Sequence, residues 1–312
     1  GILCLNIMAI AKAHQADDDH KNVHKFYVLY HLTPFTFAFR LNMVHKGSQS
    51  RNNHASRWLI RSFLTAILVL GVFSPTGLRA FKLRTVVIDA GHGGHDSGCL
   101  GAKSKEKDVA LKLAIEVGRK IRSKHPDVKV VYTRQDDRFL ELHQRASLAN
   151  REQADLFISI HLNSAKPTAY GTETYTQGLH VTEANLSVSK RENASILMES
   201  DYVQNYDGFN PGDPTAHIVF ELFQSAYRNQ SIRLAGLVEE QFRTLAGRHS
   251  RGVKQAGFLV LYRTTMPALL IEAGFLTNPQ EERFLNTTEG EDKITTAIAQ
   301  AFSQYKKETD QP

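Results

Sequence analysis

The stretch that decides the fold is VVIDAGHGG, residues 86–94. An apolar run that stops at an acidic residue and opens into a glycine-rich turn is typical of a buried parallel strand. Such a strand delivers a side chain, here His92, to its carboxyl end. Two further apolar runs end in the same way, one at His161 and one at Glu272. Because ligands and catalytic groups gather at the carboxyl ends of strands in open α/β sheets, we expect these three side chains to converge.

The pattern of strands and helices predicts one α/β domain over residues 81–312. We expect a single open, mostly parallel twisted sheet with helices on both faces. A segment at about 179–228 interrupts this alternation and is far longer than the usual connections of about two to six residues. It is predicted to be an inserted helical segment near the active site, with a helix over 185–199. A short strand is predicted over 257–261.

Basic charge is confined to the N-terminal part of the chain. The 312 residues have a formal net charge of +6, and residues 1–80 hold nine Lys/Arg against three Asp/Glu, so residues 81–312 are neutral. A neutral domain lacks the basic surface for nucleic acid, and we expect no such partner. Residues 43–80 have the basic flank, short apolar core and small-residue exit of a signal peptide. A retained membrane anchor is the alternative and is not expected. Residues 1–42 are interpreted as non-native or upstream sequence.

Three side chains are candidate zinc ligands. His92 and His161 offer neutral imidazoles, and Glu106 lies in the first turn of a predicted helix just past the loop that starts at His92. Two His and one Glu leave a fourth position for water, as in a catalytic zinc site. The residues alone leave open that Glu106 only complements the helix dipole. Glu272 is costly to bury without a partner or a task, so it is predicted to be a general base or, alternatively, half of a buried ion pair.

Several motifs occur in the order seen in a known family. They are VVIDAGHGG (86–94), EKD (106–108), TR (133–134) with Asp137, Arg145 and Asn150, ADLFISIHLNS (154–164) and PALLIEAGFLTNP (267–279). Together they resemble the zinc-dependent N-acetylmuramoyl-L-alanine amidases of the type-3 amidase family. The resemblance implies that His92, Glu106 and His161 hold one Zn²⁺ ion and that Glu272 is the catalytic carboxylate.

The resemblance also implies the reaction and its setting. Members of the family hydrolyse the amide between N-acetylmuramic acid and the L-alanine of peptidoglycan. We therefore expect a secreted, periplasmic enzyme of cell-wall remodelling and daughter-cell separation. The alternatives are a zinc peptidase that acts on stem peptides and a catalytically silent peptidoglycan-binding module. The silent module is disfavoured because all four required side chains are present.

Four other residues near these motifs also have predicted roles. Asp89 and Asn163 are predicted either to orient the zinc ligands or to cap strand ends. Cys99, the only cysteine after the predicted signal peptide, is predicted to be a small loop residue rather than a zinc ligand. His95 is predicted to face solvent or substrate.

The insertion resembles that of family members restrained by a helix that covers the zinc site. Such a helix supplies a carboxylate to the metal until an activator protein displaces it. Glu183, Glu192 and Glu199 are the candidate carboxylates, and the sequence does not choose among them. The alternative is a surface excursion without a regulatory role.

Overall fold

The computed structural model describes residues 82–179, 182–206, 208–210 and 227–311, together with the backbone of two earlier strands. These two strands are β1 (Lys25–Leu32) and β2 (Phe35–Asn42), which pair antiparallel and which we did not predict. The chain divides into two compact units, Gly1–Gly77 and Leu78–Pro312. The predicted signal peptide lies outside the described residues, and the interpretation of residues 1–42 stays a prediction.

The second unit is built on one open six-stranded sheet in the order β4-β3-β5-β8-β6-β7. Its strands are β3 (Thr85–Ala90), β4 (Lys129–Tyr132), β5 (Leu156–Asn163), β6 (Thr172–Gln177), β7 (Ser250–Ala256) and β8 (Ala268–Phe275). The four adjacent strands β4, β3, β5 and β8 are parallel to one another. Strand β6 runs antiparallel to β8, and β7 runs parallel to β6. The predicted fold class is confirmed, with a sheet that is mixed rather than purely parallel.

Helices cover both faces of this sheet, as predicted. They are α1 (Glu106–Lys124), α2 (Leu142–Arg151), α3 (Glu183–Asn193), α4 (Tyr202–Asn205), α5 (Arg228–Thr244), α6 (Leu259–Tyr262), α7 (Pro279–Leu285) and α8 (Thr288–Thr309). A 3₁₀ turn, Ala194–Met198, follows α3. Among the described residues, none of these helices is both long and apolar enough to span a bilayer.

The two faces of the sheet bury separate apolar cores. Side chains alternate along a strand, so Val86 and Ile88 of β3 pack with α1, α5 and α8, whereas Val87 packs on the opposite face. The second core includes α2 and α6, and it also takes in Val188 and Ile196 of the inserted segment. The insertion is therefore anchored to the domain by its own apolar residues.

The predicted strand over 257–261 is wrong. The strand of this region is β7, Ser250–Ala256, and residues Leu259–Tyr262 form the helical turn α6. A short apolar run does not distinguish a buried strand from a buried helical turn, because both bury every side chain. Here α6 lies on one face of the sheet beside Phe258, which is fully buried.

Candidate active site

Sheet register brings the predicted strand-end residues together. His161 of β5 lies directly opposite Glu272 of the parallel neighbour β8. Strand β3, which ends just before His92, pairs with the other side of β5. The carboxyl ends of three adjacent strands thus place His92, His161 and Glu272 at one edge of the sheet, and all three side chains are buried.

The loop after β3 holds His92 in an unusual conformation. His92 has a φ of 59°, in the left-handed region that non-glycine residues seldom adopt. Two buried arginines brace this loop: Arg134 donates to the carbonyl of Gly91 at 2.7 Å, and Arg145 donates to the carbonyl of His92 at 2.9 Å. The backbone strain is therefore offset by charge-assisted hydrogen bonds.

Asp96 fixes the His92 ring. Nδ1 of His92 donates to Asp96 Oδ2 at 2.8 Å. Because an ionised carboxylate only accepts, the proton sits on Nδ1 and the lone pair of Nε2 is free to bind a metal. The sequence analysis missed this residue, although an acidic side chain four positions after a candidate ligand in the same loop was the available signal.

Glu106 is the first residue of α1 and is fully buried. Its Oε2 accepts from the backbone N–H of Cys99 at 2.8 Å, and its Oε1 accepts from the backbone N–H of Leu162 at 2.9 Å. These bonds fix the carboxylate next to both histidines. Cys99 itself donates its thiol to the Leu162 carbonyl at 3.3 Å, and burial raises the pKa of that thiol, so it remains protonated.

Four donor atoms form a compact group. Nε2 of His92 lies 3.1 Å from Glu106 Oε1 and 3.1 Å from Glu192 Oε2. Nδ1 of His161 lies 3.1 Å from Glu106 Oε1 and 3.0 Å from Glu192 Oε2. In a tetrahedral zinc site with bonds of about 2.0–2.1 Å, ligand atoms lie about 3.3 Å apart. The four separations approach that value.

The hydrogen-bond state of the group also fits a metal. Nε2 of His92 and Oε2 of Glu192 are buried without a hydrogen-bond partner in the described structure. Burial acts to lower the pKa of His161, but Glu192 and Glu106 raise it to about 9. The negative charge of the two carboxylates therefore dominates the site. Two imidazole nitrogens and two carboxylate oxygens are ligands that zinc prefers, so the residues fit the ion.

The insertion supplies the fourth donor. Glu192 lies in the last turn of α3 and is buried, whereas Glu183, at the start of the same helix, is exposed. Glu199 is also buried but lies elsewhere, accepting from the backbone N–H of Leu142 at 2.8 Å. Of the three candidate carboxylates, only Glu192 joins His92, Glu106 and His161.

Glu272 stands beside this group and not within it. Its side chain is fully buried, and Oε2 has no hydrogen-bond partner among the described residues. Oε1 accepts a long hydrogen bond of 3.3 Å from Arg191, the neighbour of Glu192 on the insertion. Burial, followed by the charge of Glu192, raises the pKa of Glu272 well above its ordinary value, although Arg191 opposes the shift.

Asp89 and Asn163 lie near the candidate ligands but do not hydrogen-bond to them in the described structure. Asp89 accepts from Thr133 and Ser159, both at 2.6 Å, and from Arg145 at 3.0 Å. Burial alone would raise the pKa of Asp89, but Arg145 and the two hydroxyls lower it. The carboxylate therefore stays charged.

Asn163 links two residues that the sequence analysis did not identify. It donates to Glu173 at 3.0 Å and accepts from Arg191 at 3.1 Å. Glu173 lies opposite Glu272 on β6 and also accepts from Tyr175 at 2.7 Å and from Lys254 at 2.6 Å. The polar groups around Glu272 are thus held by side chains from both neighbouring strands.

His95 and Cys99, in the loop after β3, lie outside the donor group. His95 is exposed, and its ring lies against Phe139 with the ring centroids 4.0 Å apart. The Cys99 thiol is not among the four donors. Gly91 leaves room for the His161 ring, because a Cβ at this position would come within 2.4 Å of that ring.

Comparisons with known proteins identify the family. A family model described as N-acetylmuramoyl-L-alanine amidase matches residues 86–304. The chain is 33% identical over 239 residues to the N-acetylmuramoyl-L-alanine amidase AmiA of Escherichia coli (strain K12), covering 75% of this chain and 80% of that protein.

Solved structures agree with the sequence matches. An N-acetylmuramoyl-L-alanine amidase from Clostridium difficile 630 superposes with a TM-score of 0.54 at 30% identity, covering 72% of this chain and 97% of that one. The catalytic domain of CwlV, an amidase from Bacillus (Paenibacillus) polymyxa var. colistinus, gives 0.53 at 32% identity, covering 71% and 97%. The chain therefore belongs to the type-3 family of N-acetylmuramoyl-L-alanine amidases, enzymes that cleave peptidoglycan.

Proposed function

We propose that this amidase is zinc-dependent, with His92, Glu106 and His161 as the protein ligands and Glu272 as the catalytic carboxylate. The bond cleaved joins the lactyl group of N-acetylmuramic acid to the L-alanine of the stem peptide. The supporting observation is the group of donor atoms 3.0–3.1 Å apart, with the unpartnered Glu272 oxygen at the adjacent strand end.

The residues divide the chemistry between them. A zinc ion, when bound, supplies Lewis acidity towards the lactyl carbonyl and lowers the pKa of an attacking water towards about 7. Glu272 takes the proton of that water and delivers it to the L-alanine nitrogen as the amide breaks. A raised pKa suits this task, because the same carboxyl must first hold and then release a proton. Asp96 keeps the His92 lone pair directed at the metal.

We further propose that the insertion holds the enzyme in an inactive state. Glu192 takes the position that a water would need, while Arg191 donates to Glu272 and so neutralises the catalytic carboxylate. Two adjacent side chains of one helix thus occupy the two catalytic positions. An activator protein that binds the insertion would restore activity by drawing both away together.

Purified peptidoglycan is the substrate for the test, and newly exposed N-terminal alanine is the readout. The paired variant R191A/E192A is expected to release more product than wild type, and a chelator should abolish release. Glu183→Ala is the matched control, because Glu183 is an exposed carboxylate on the same helix and should leave the rate unchanged. Equal rates in a folded, zinc-loaded R191A/E192A variant would refute the inhibition.

The same digest separates the alternative activities. Cleavage within the stem peptide, without new N-terminal alanine, would identify a zinc peptidase. No product from the R191A/E192A variant with zinc bound would identify a peptidoglycan-binding module. Four intact functional side chains argue for the amidase.

The cellular role is proposed as cell-wall remodelling and daughter-cell separation in the periplasm. Deletion of the gene should leave chained cells, and fractionation should recover the protein in the periplasmic extract. Recovery from the cytoplasm alone would contradict the proposed signal peptide at residues 43–80.

A further inference from the structure

A second group of metal-binding side chains lies outside the site described above. Glu141, His143 and Glu199 offer donor atoms that all lie within 4.8 Å of one another. Glu141 and His143 stand at the beginning of α2, in the catalytic domain. Glu199 directly follows the 3₁₀ turn of the insertion. The group therefore joins the insertion to the domain at a second point.

The His143 ring is aimed at the two carboxylates without bonding to either. Its Nδ1 is buried and has no hydrogen-bond partner in the described structure. This atom lies 3.4 Å from Glu141 Oε2 and 3.6 Å from Glu199 Oε2, beyond the 2.7–3.2 Å usual for a nitrogen–oxygen hydrogen bond. Ligand atoms around a tetrahedral zinc with bonds of about 2.0–2.2 Å lie about 3.3–3.6 Å apart. The observed separations fall at that spacing.

Two hydrogen bonds hold the Glu199 carboxylate in place beside His143. It accepts from the backbone N–H of Leu142 at 2.8 Å, and its Oε2 accepts from the Tyr206 hydroxyl at 2.9 Å. These bonds cap the beginning of α2, where Glu141 makes no side-chain cap of its own. Capping explains why Glu199 is buried. It does not explain the unpartnered imidazole nitrogen, or why Glu141, whose Oε2 accepts from Gln144 at 3.1 Å, has its donor atom within 4.8 Å of a like charge.

We propose that Glu141, His143 and Glu199 form a second divalent metal site, of the zinc type. An imidazole ligand favours zinc over calcium or magnesium, which prefer oxygen ligands alone. The side chains of His143 and Glu141 are 24% and 20% exposed, so the group lies near the protein surface, and a zinc ion held by three protein ligands would take water as its fourth. Because Glu199 comes from the insertion, the site is complete only while the insertion is docked. The bound ion therefore stabilises the docked form, and its regulatory consequence rests on the inhibition proposed above.

Metal counting tests the site directly. The protein is stripped with a chelator, refilled with Zn²⁺ and freed of loosely bound ion, and the zinc content per chain is measured by mass spectrometry. Wild type is expected to hold two ions and His143→Ala one. The matched control is His249→Ala, which removes an exposed histidine outside both groups and should still hold two. One ion in wild type, or two in a folded His143→Ala variant, would overturn the proposal.

A second measurement separates this site from the inhibition. Hydrogen exchange of the backbone amides of residues 195–206 should slow when the second ion binds, in wild type but not in His143→Ala. If R191A/E192A shows no rise in activity yet wild type still binds two ions with this protection, the inhibition is wrong and the second site stands. If wild type binds one ion while R191A/E192A is activated, the second site is wrong and the inhibition stands.

Discussion

Replacement of Asp96 by alanine should weaken the proposed zinc binding without removing any of the proposed ligands. The hydrogen bond between His92 Nδ1 and Asp96 Oδ2 is 2.8 Å long, and both side chains are 7% exposed, so solvent cannot replace the lost partner well. A charge-assisted hydrogen bond of this kind contributes about 1.5–3 kcal/mol. Because about 1.4 kcal/mol is a tenfold change in affinity, we expect a loss of about 10- to 100-fold.

The affinity is measured by competition with a chromophoric chelator at fixed pH. Asp96→Asn is the intermediate variant, because its amide keeps one acceptor oxygen for the His92 ring but loses the charge and the second oxygen, which accepts from the backbone N–H of Gly98. Asp137→Ala is the matched control. Asp137 braces the same loop by accepting from Gly94 at 2.8 Å and from Lys107 at 2.6 Å, yet it touches no ligand.

The comparison of variants decides the interpretation. Zinc affinity in Asp137→Ala should stay within about threefold of wild type, since its loss changes the loop and not the ring. Equal losses in Asp96→Ala and Asp137→Ala would show that loop stability, and not orientation of His92, sets the affinity. Unchanged affinity in Asp96→Ala would refute the assignment of His92 as an oriented ligand.

Three further predictions concern the catalytic carboxylate, a buried arginine and the metal. In the R191A/E192A background, where the proposed inhibition is removed, Glu272→Gln should lower the hydrolysis rate by about 10²- to 10⁴-fold, because it removes the proton carrier, while the zinc content measured by mass spectrometry stays unchanged. Arg145→Met should lower the free energy of unfolding in urea by about 3–5 kcal/mol, because it leaves the buried charge of Asp89 without its cation; a change under about 1 kcal/mol would contradict this role. Chelation should lower the melting temperature as well as abolish hydrolysis, because the buried carboxylates of Glu106 and Glu192 then repel each other, and added zinc should restore both; a melting temperature that chelation leaves unchanged would argue against a metal between them.

Sequence predicted the position of the site because parallel strands leave little freedom at their carboxyl ends. An apolar run without alternation indicates a parallel strand that is buried on both faces. The residue that follows such a run, here His161 or Glu272, therefore lies at the carboxyl edge of the sheet in any order of the parallel strands. The register between β5 and β8 then sets the two residues side by side. The helix that begins at Glu106 was equally predictable from sequence, because its apolar positions recur at helical spacing.

The sequence could not predict which carboxylate of the insertion reaches the site. Glu192 and Glu199 are seven residues apart, so a continuous helix would place both on the same face, two turns apart. The α-helix instead ends at Asn193 and tightens to a 3₁₀ turn, which carries Glu199 to the beginning of α2. The changed winding buries Ile196 of the turn fully in the core, a contact that helical periodicity alone does not predict.

The way the insertion is held determines how far its proposed inhibition can be reversed. Its hydrogen bond to a catalytic group, from Arg191 to Glu272, is charge-assisted, and bonds of this kind contribute about 1.5–3 kcal/mol. Val188 and Ile196 are buried in the second core, and exposing such a side chain costs about 1.5–3 kcal/mol. Opening that breaks both kinds of contact therefore costs several kcal/mol and would be rare without a partner. An activator that shifts the closed form from about 99% to about 1% must prefer the open form by about 5.5 kcal/mol. Opening that frees only Arg191 and Glu192 needs less, because Val188 and Ile196 stay buried, so the smaller movement is the one expected of a reversible switch.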